Sequence, residues 1–220
     1  LSTPFSNVIL DDKIKQALRS IVTLPLLYPQ QFSSGILARE AISGALLYGP
    51  PGTGKTMICR ALACEGGARM LLIKPSDVQE KYVGESEKFI KGLFQLAYRL
   101  APCVVFIDEV EAIFKARTDS VPIWHVSMAM DGLTSGASGV SNKKKGVVLV
   151  GATNRPFDID PAFLRRLPYR MLVDLPPEPQ REEILKTHLT GEKLEDVDLK
   201  RIAAKTKGYS GSDLKSKLIA

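Results

Sequence analysis

Hydrophobic positions along this chain switch between two periods, and the switches mark the elements. From Asp11 to Thr23 the apolar residues Ile14, Leu18, Ile21 and Val22 recur at helical spacing, with Asp11 and Asp12 at the start, where the helix dipole favours acids. Pro25 and Pro29 are expected to break that helix. Ala45–Tyr48 is a short apolar run, followed by a glycine-rich turn and a helical pattern from Lys55 to about Cys64. Arg69–Ile73 predicts a second strand. Glu85–Leu100 predicts an amphipathic helix with Phe89, Ile90, Leu93, Phe94, Leu96 and Ala97 on or near one face. Cys103–Ile107 is continuously apolar, as a strand covered on both faces should be, and Val147–Val150 and Met171–Val173 complete five predicted strands.

Strands separated by helices argue for an α/β fold, a parallel sheet flanked by helices. After Pro176-Pro177 the pattern becomes purely helical, with helices expected over Pro179–Leu189, Leu199–Thr206 and from Gly211 onward. The chain therefore divides into an α/β domain over residues 1–175 and a small helical subdomain over 176–220, incomplete at Ala220. The polar stretch Thr134–Lys145 is expected to be a loop, with Lys143-Lys144-Lys145 as solvated surface.

Composition changes this picture little. With 220 residues, 45% hydrophobic and 25% charged, the chain has the profile of a soluble globular protein. A net charge of +6 permits an acidic partner without demanding one, and no direct nucleic-acid reader is expected. The longest apolar runs, such as Cys103–Ile107, are too short to span a bilayer. The chain starts at Leu1 rather than Met and reads as an excised piece, so any membrane anchor or adaptor would lie upstream. Cys59, Cys64 and Cys103 form no C-x-x-C pair, and only His125 and His188 accompany them, which disfavours a zinc site. Buried packing in a reducing compartment is expected for all three cysteines.

The chemistry lies in the turns after the strands. Gly49-Pro50-Pro51-Gly52-Thr53-Gly54-Lys55-Thr56 matches G-x-x-x-x-G-K-T between a predicted strand and a predicted helix. Glycines let backbone N–H groups turn inward onto a phosphate chain, and the following helix adds its N-terminal dipole. Pro51, Gly52, Thr53 and Gly54 would line that cradle, Lys55 would reach the β- and γ-phosphates of ATP, and the Thr56 hydroxyl would ligate Mg2+. Asp108 and Glu109 end the apolar strand Val104–Ile107, at the sheet edge that carries the phosphate loop. Asp108 would hold magnesium and Glu109 would act as general base on the attacking water. The competing reading makes the two acids a helix N-cap and a first-turn charge. Asn154, after the fourth strand in Gly151-Ala152-Thr153-Asn154-Arg155-Pro156, would orient the lytic water or sense the γ-phosphate; alone it would be read as a turn former.

With these motifs in this order, the chain resembles the AAA+ ATPases over almost its whole length. The segment Leu164-Arg165-Arg166 resembles the arginine finger, and the resemblance implies a ring, usually a hexamer, in which Arg165 and Arg166 enter a neighbour's ATP site. Tyr209-Ser210-Gly211-Ser212-Asp213-Leu214 resembles the small-domain element that closes over adenine, with Gly211 admitting close backbone approach. His188 stands where related proteins place a histidine near the nucleotide, although a structural role is an equal alternative. Lys81-Tyr82-Val83-Gly84-Glu85 resembles the first pore loop, in which Lys81, Tyr82 and Val83 would grip a threaded polypeptide.

The continuation Leu167-Pro168-Tyr169-Arg170 is similar to the meiotic clade, whose members extract mitochondrial membrane proteins or sever microtubules. The resemblance thus implies an ATP-hydrolysing motor that unfolds, extracts or disassembles proteins. It also implies an intracellular setting, at the cytosolic face of the mitochondrial outer membrane through an N-terminal anchor or otherwise in the cytoplasm. Two rivals remain: a microtubule-severing ATPase, and a regulatory module that binds ATP without turnover. The chain departs from the family in the short stretch Thr118–Ala129 and in Ile9, which replaces an expected glycine after Val8.

Overall fold

The computed structural model describes residues 4–33, 44–79, 85–114, 146–193 and 197–219, with only the backbone described at 33, 78–79, 85–91 and 219. An N-terminal helix runs as α1 (Asp12–Leu18), a π-helical turn (Arg19–Thr23) and α2 (Leu24–Leu27). The expected break at Pro25 does not occur. Proline lacks an N–H and its ring presses on the carbonyl four residues back, here Ile21, which lies in the wide π turn, so the helix absorbs Pro25 and stops before Pro29.

Five parallel strands follow: β1 (Gly44–Tyr48), β2 (Arg69–Ile73), β3 (Cys103–Ile107), β4 (Val147–Thr153) and β5 (Tyr169–Leu172), in the order β2-β3-β4-β1-β5. Between them lie α3 (Lys55–Glu65), α4 (Pro75–Gln79), α5 (Glu85–Arg99), α6 (Val110–Ile113) and α7 (Pro161–Leu164). Successive strand residues face opposite sides of a sheet. Ala45, Leu47, Val104, Phe106, Val148 and Val150 accordingly pack on one face, with Ile58, Cys59 and Leu62 of α3 and with Leu18, Ile21 and Val22 of the N-terminal helix. Leu46, Val105, Ile107 and Leu149 pack on the other, with Phe94, Ala97, Val110, Phe163 and Leu167.

β4 is longer than its apolar run predicts. It continues through Gly151, Ala152 and Thr153, which pair with Leu46, Leu47 and Tyr48 of β1. Glycine is required there by crowding, since a Cβ on Gly151 would lie 2.9 Å from Val110 and 3.0 Å from Leu167. The expectation of buried packing fails for Cys64, which is exposed while Cys59 and Cys103 are buried. Among the described residues no helix is long and apolar enough to cross a membrane.

The C-terminal helices α8 (Glu178–His188), α9 (Leu199–Lys205) and α10 (Gly211–Ile219) enclose a separate cluster of Leu185, Ala203 and Leu214. Arg181 crosses it, 4% exposed. Its Nε and Nη2 donate to the Ala203 carbonyl at 3.1 and 2.8 Å, and its Nη1 donates to the Pro176 carbonyl at 2.9 Å. One buried guanidinium thus ties the segment entering the cluster to the end of α9. Arg181→Leu should loosen these helices by about 2–3 kcal/mol, the scale of lost charged hydrogen bonds. Hydrogen exchange should quicken over 178–206 while β1, β3 and β4 keep their protection.

Candidate functional site

Parallel strands present all their C-terminal ends at one edge, and the sheet order sets the ends of β1, β4 and β3 side by side there. The phosphate-loop motif leaves β1. Its Gly49, Gly52 and Gly54 have φ of 146°, 75° and 89°, and a Cβ on Gly49 would stand 2.2 Å from the Val173 carbonyl oxygen. The glycine spacing in the sequence is therefore a steric demand of the loop. Thr53 closes the turn through a 3.0 Å bond from its hydroxyl to the Pro50 carbonyl, and Pro51 stands exposed on the turn.

Lys55 opens α3 and is 8% exposed. Its ammonium donates to the Gly49 and Pro50 carbonyls at 2.9 and 2.7 Å, within its own loop. Burial pulls its pKa below the ordinary lysine value, and the charges of Asp108 and Glu111 partly oppose this. An ammonium held by the carbonyls of a glycine loop is suited to a polyphosphate. Thr56, the next residue, donates its hydroxyl to Asp108 Oδ2 at 2.9 Å, joining the turn after β1 to the turn after β3. A hydroxyl and a carboxylate in contact, both half-buried, are hard oxygen donors that fit Mg2+.

Glu109 has φ 49° and ψ 51°, the sole positive φ on a non-glycine among the described residues. The left-handed region costs an L-residue about 1–2 kcal/mol. Glu109 is exposed, and its N–H donates to Asp108 Oδ1 at 3.1 Å. Against the reading of these acids as a helix N-cap and a first-turn acid, Glu109 takes the N-cap position of α6 but makes no side-chain cap bond, and the first-turn acid is Glu111.

Asn154 is exposed at the end of β4, with its N–H donating to Glu111 Oε1 at 3.4 Å. Sequence reasoning missed Glu111, which resembles an ordinary first-turn acid of α6. Its Oε2 is buried with no hydrogen-bond partner among the described residues. Phe163 of α7 stacks on Phe114 with ring centroids 3.9 Å apart, fixing the arginine segment against the end of α6. The two arginines then differ. Arg165 is exposed, whereas Arg166 is half-buried and donates from Nη1 to the Ala162 carbonyl at 2.8 Å.

From the C-terminal cluster, α10 meets the phosphate loop: Ser212 N–H donates to the Gly52 carbonyl at 3.2 Å, and Gly211 lies beside the same oxygen. His188 ends α8 near Lys215, and partial burial followed by the Lys215 charge lowers its pKa. Lys81, Tyr82 and Val83 lie outside the described residues, as do residues 118–129.

Residues 45–175 match the model of the ATPase family associated with various cellular activities (AAA), and residues 196–216 match the AAA+ lid domain. The outer mitochondrial transmembrane helix translocase of Danio rerio is 40% identical over 214 residues, covering 93% of this chain and 54% of that protein. A spastin homolog of Caenorhabditis elegans is 38% identical over 204 residues, covering 91% of this chain and 39% of that protein. The chain thus spans about half or less of the length of these curated relatives. The crystal structure of the FIGL-1 AAA domain in complex with ADP superposes with a TM-score of 0.80 at 35% identity, covering 96% of this chain and 70% of that one.

If the left-handed backbone at residue 109 is stored strain, relieving it should stabilise the fold. Glu109→Gly is expected to gain about 0.5–1 kcal/mol, raising Tm by about 1–4 °C in calorimetry. A drop in Tm would show that the carboxylate itself holds the turn.

Proposed function

This chain belongs to the AAA family of ATPases, and from that membership we propose that it is the motor module of an ATP-driven protein-remodelling machine. The observation that carries the reading is the Thr56–Asp108 contact, with Lys55 and the strained Glu109 on either side of it. ATP is bound by the turned loop, Pro51 to Gly54, with Lys55 leaving its loop carbonyls for the β- and γ-phosphates. Thr56 and Asp108 hold Mg2+, which when bound neutralises phosphate charge. Glu109 accepts the proton of the attacking water as its oxygen bonds to the γ-phosphorus and the bond to the β-phosphate breaks. Asn154 orients that water, and Glu111 steadies the Asn154 backbone.

Arg165, exposed and unpaired among the described residues, completes the site of a neighbouring copy in a hexameric ring, while Arg166 braces the helix end beneath it. Residues 176–220 act as the lid over the base, with His188 and Gly211 on the adenosine side. Lys81, Tyr82 and Val83 grip the polypeptide in the central pore. Similarity to the Danio rerio translocase supports extraction of membrane proteins as the activity, with the mitochondrial outer membrane as the matching setting for the whole protein. Similarity to the spastin homolog supports a second reading, the microtubule-severing ATPase that the sequence resemblance also admits.

Turnover measured against protein concentration tests this reading. Specific activity should rise with concentration, and Lys55→Ala should bind no ATP. Glu109→Gln should bind ATP normally yet turn over at least about 100-fold slower. Arg165→Ala should keep ATP affinity and lose the concentration-dependent activity. An Arg165→Ala chain as active as its parent would sink the shared-site mechanism.

A further inference from the structure

The contact between the last helix and the phosphate loop has a geometry that bears on phosphate binding itself. Gly52 has φ +75°, and a Cβ there would lie 2.5 Å from Ser210 Oγ and 3.1 Å from Ser212 Cβ. From the other side, a Cβ on Gly211 would lie 3.6 Å from the Gly52 carbonyl oxygen. Two glycines therefore permit the approach, and the Ser212 N–H bond at 3.2 Å fixes it.

The donor is held in place by its own cap. Ser210 donates to Asp213 Oδ2 from its N–H at 2.9 Å and from its hydroxyl at 2.7 Å, and Asp213 N–H donates to Ser210 Oγ at 3.2 Å. This reciprocal box satisfies the Asp213 N–H and leaves the Ser212 N–H, an orphan of the first helical turn, for an outside acceptor. That acceptor is the Gly52 carbonyl. The Gly52–Thr53 peptide is planar and trans, so its C=O and its N–H point in opposite directions. Holding the carbonyl against α10 turns the Thr53 N–H away from the helix.

We propose that α10 is a positioning element for phosphate binding: through Gly52, the Ser212 N–H sets the peptide plane that presents the Thr53 N–H to the phosphate chain of a nucleoside di- or triphosphate. This rests on the nucleotide-binding reading above and adds to it a role for the C-terminal helices that is separate from contact with the base. Docking of α10 and binding of phosphates are then coupled, each favouring the other, as linkage requires.

Ser212→Pro tests this. It removes the one donor at a first-turn position where proline is tolerated, and the preceding residue is a glycine, the residue least restricted by a following proline. Calorimetric titrations of this chain with AMP, ADP and ATP should show ADP and ATP affinities lowered about tenfold while AMP is unchanged, with Ser212→Ala like the parent. If Ser212→Pro does not fold, replacing the Ser212 amide by an ester removes the same donor and should give the same ratio. Equal losses for AMP and ATP, no loss at all, or an equal loss in Ser212→Ala would each overturn the proposal. The parent's own titration separates the two readings. A parent that binds no ATP overturns both, whereas a parent that binds ATP with a ratio Ser212→Pro leaves unchanged overturns only this one.

Discussion

The parallel insertion of β4 between β1 and β3 is the constraint on which the site depends. It fixes the spacing between the phosphate loop and the acidic pair, since Gly151 pairs with both Leu46 and Ile107. Thr56 and Asp108, 52 residues apart, can then share a hydrogen bond across the top of the sheet. The same insertion crowds Gly151 with Val110, Leu167 and Leu46, side chains from three separate segments. A side chain there would force these neighbours to shift, so glycine suits the close packing of the strand ends. A site assembled from loops is thereby held on a rigid edge.

Onto that rigid edge the chain loads its costly features. Glu109 sits in the left-handed region, Lys55 keeps an ammonium among carbonyls with little water, and Glu111 buries a carboxylate oxygen with no hydrogen-bond partner among the described residues. Each opposes folding by an amount on the order of a kcal/mol or more. All three lie within one turn of a strand end. The two apolar faces of the sheet supply the stability that sustains them, which is the distribution expected when local strain serves chemistry.

What the sequence disclosed follows from the range of the forces involved. The strands Arg69–Ile73 and Cys103–Ile107 are predicted with the bounds they have, because a continuous apolar run between polar turns has one local solution. The glycine loop and the acids after β3 were legible for the same reason. Pro25 misled because a proline stops an α-helix locally, whereas here a π turn, stabilised by Ile21 and Val22 in the core, makes room for it. The end of β4 was hidden because Gly151-Ala152-Thr153 has weak strand preference and is held by its two neighbours. Glu111 was hidden because its significance lies in what it faces, Asn154 and Lys55, and neither is near it in sequence.

The C-terminal helices illustrate how non-local contacts turn a packing unit into a mechanical one. Two sets of hydrogen bonds of different chemistry hold them, one within the cluster and one at the phosphate loop. At the entering segment, Arg181 fastens the Pro176 carbonyl to the body of the cluster with a buried charge. At the phosphate loop, α10 is held by a single neutral backbone bond to Gly52. A charged, water-excluded anchor is worth more than a neutral bond at a half-buried loop. The bonds within the cluster are therefore the stronger set and the loop contact the weaker one. Gly52 stands at that lighter contact, in the loop that would carry the phosphates, so the weaker of the two attachments is the one next to the candidate site.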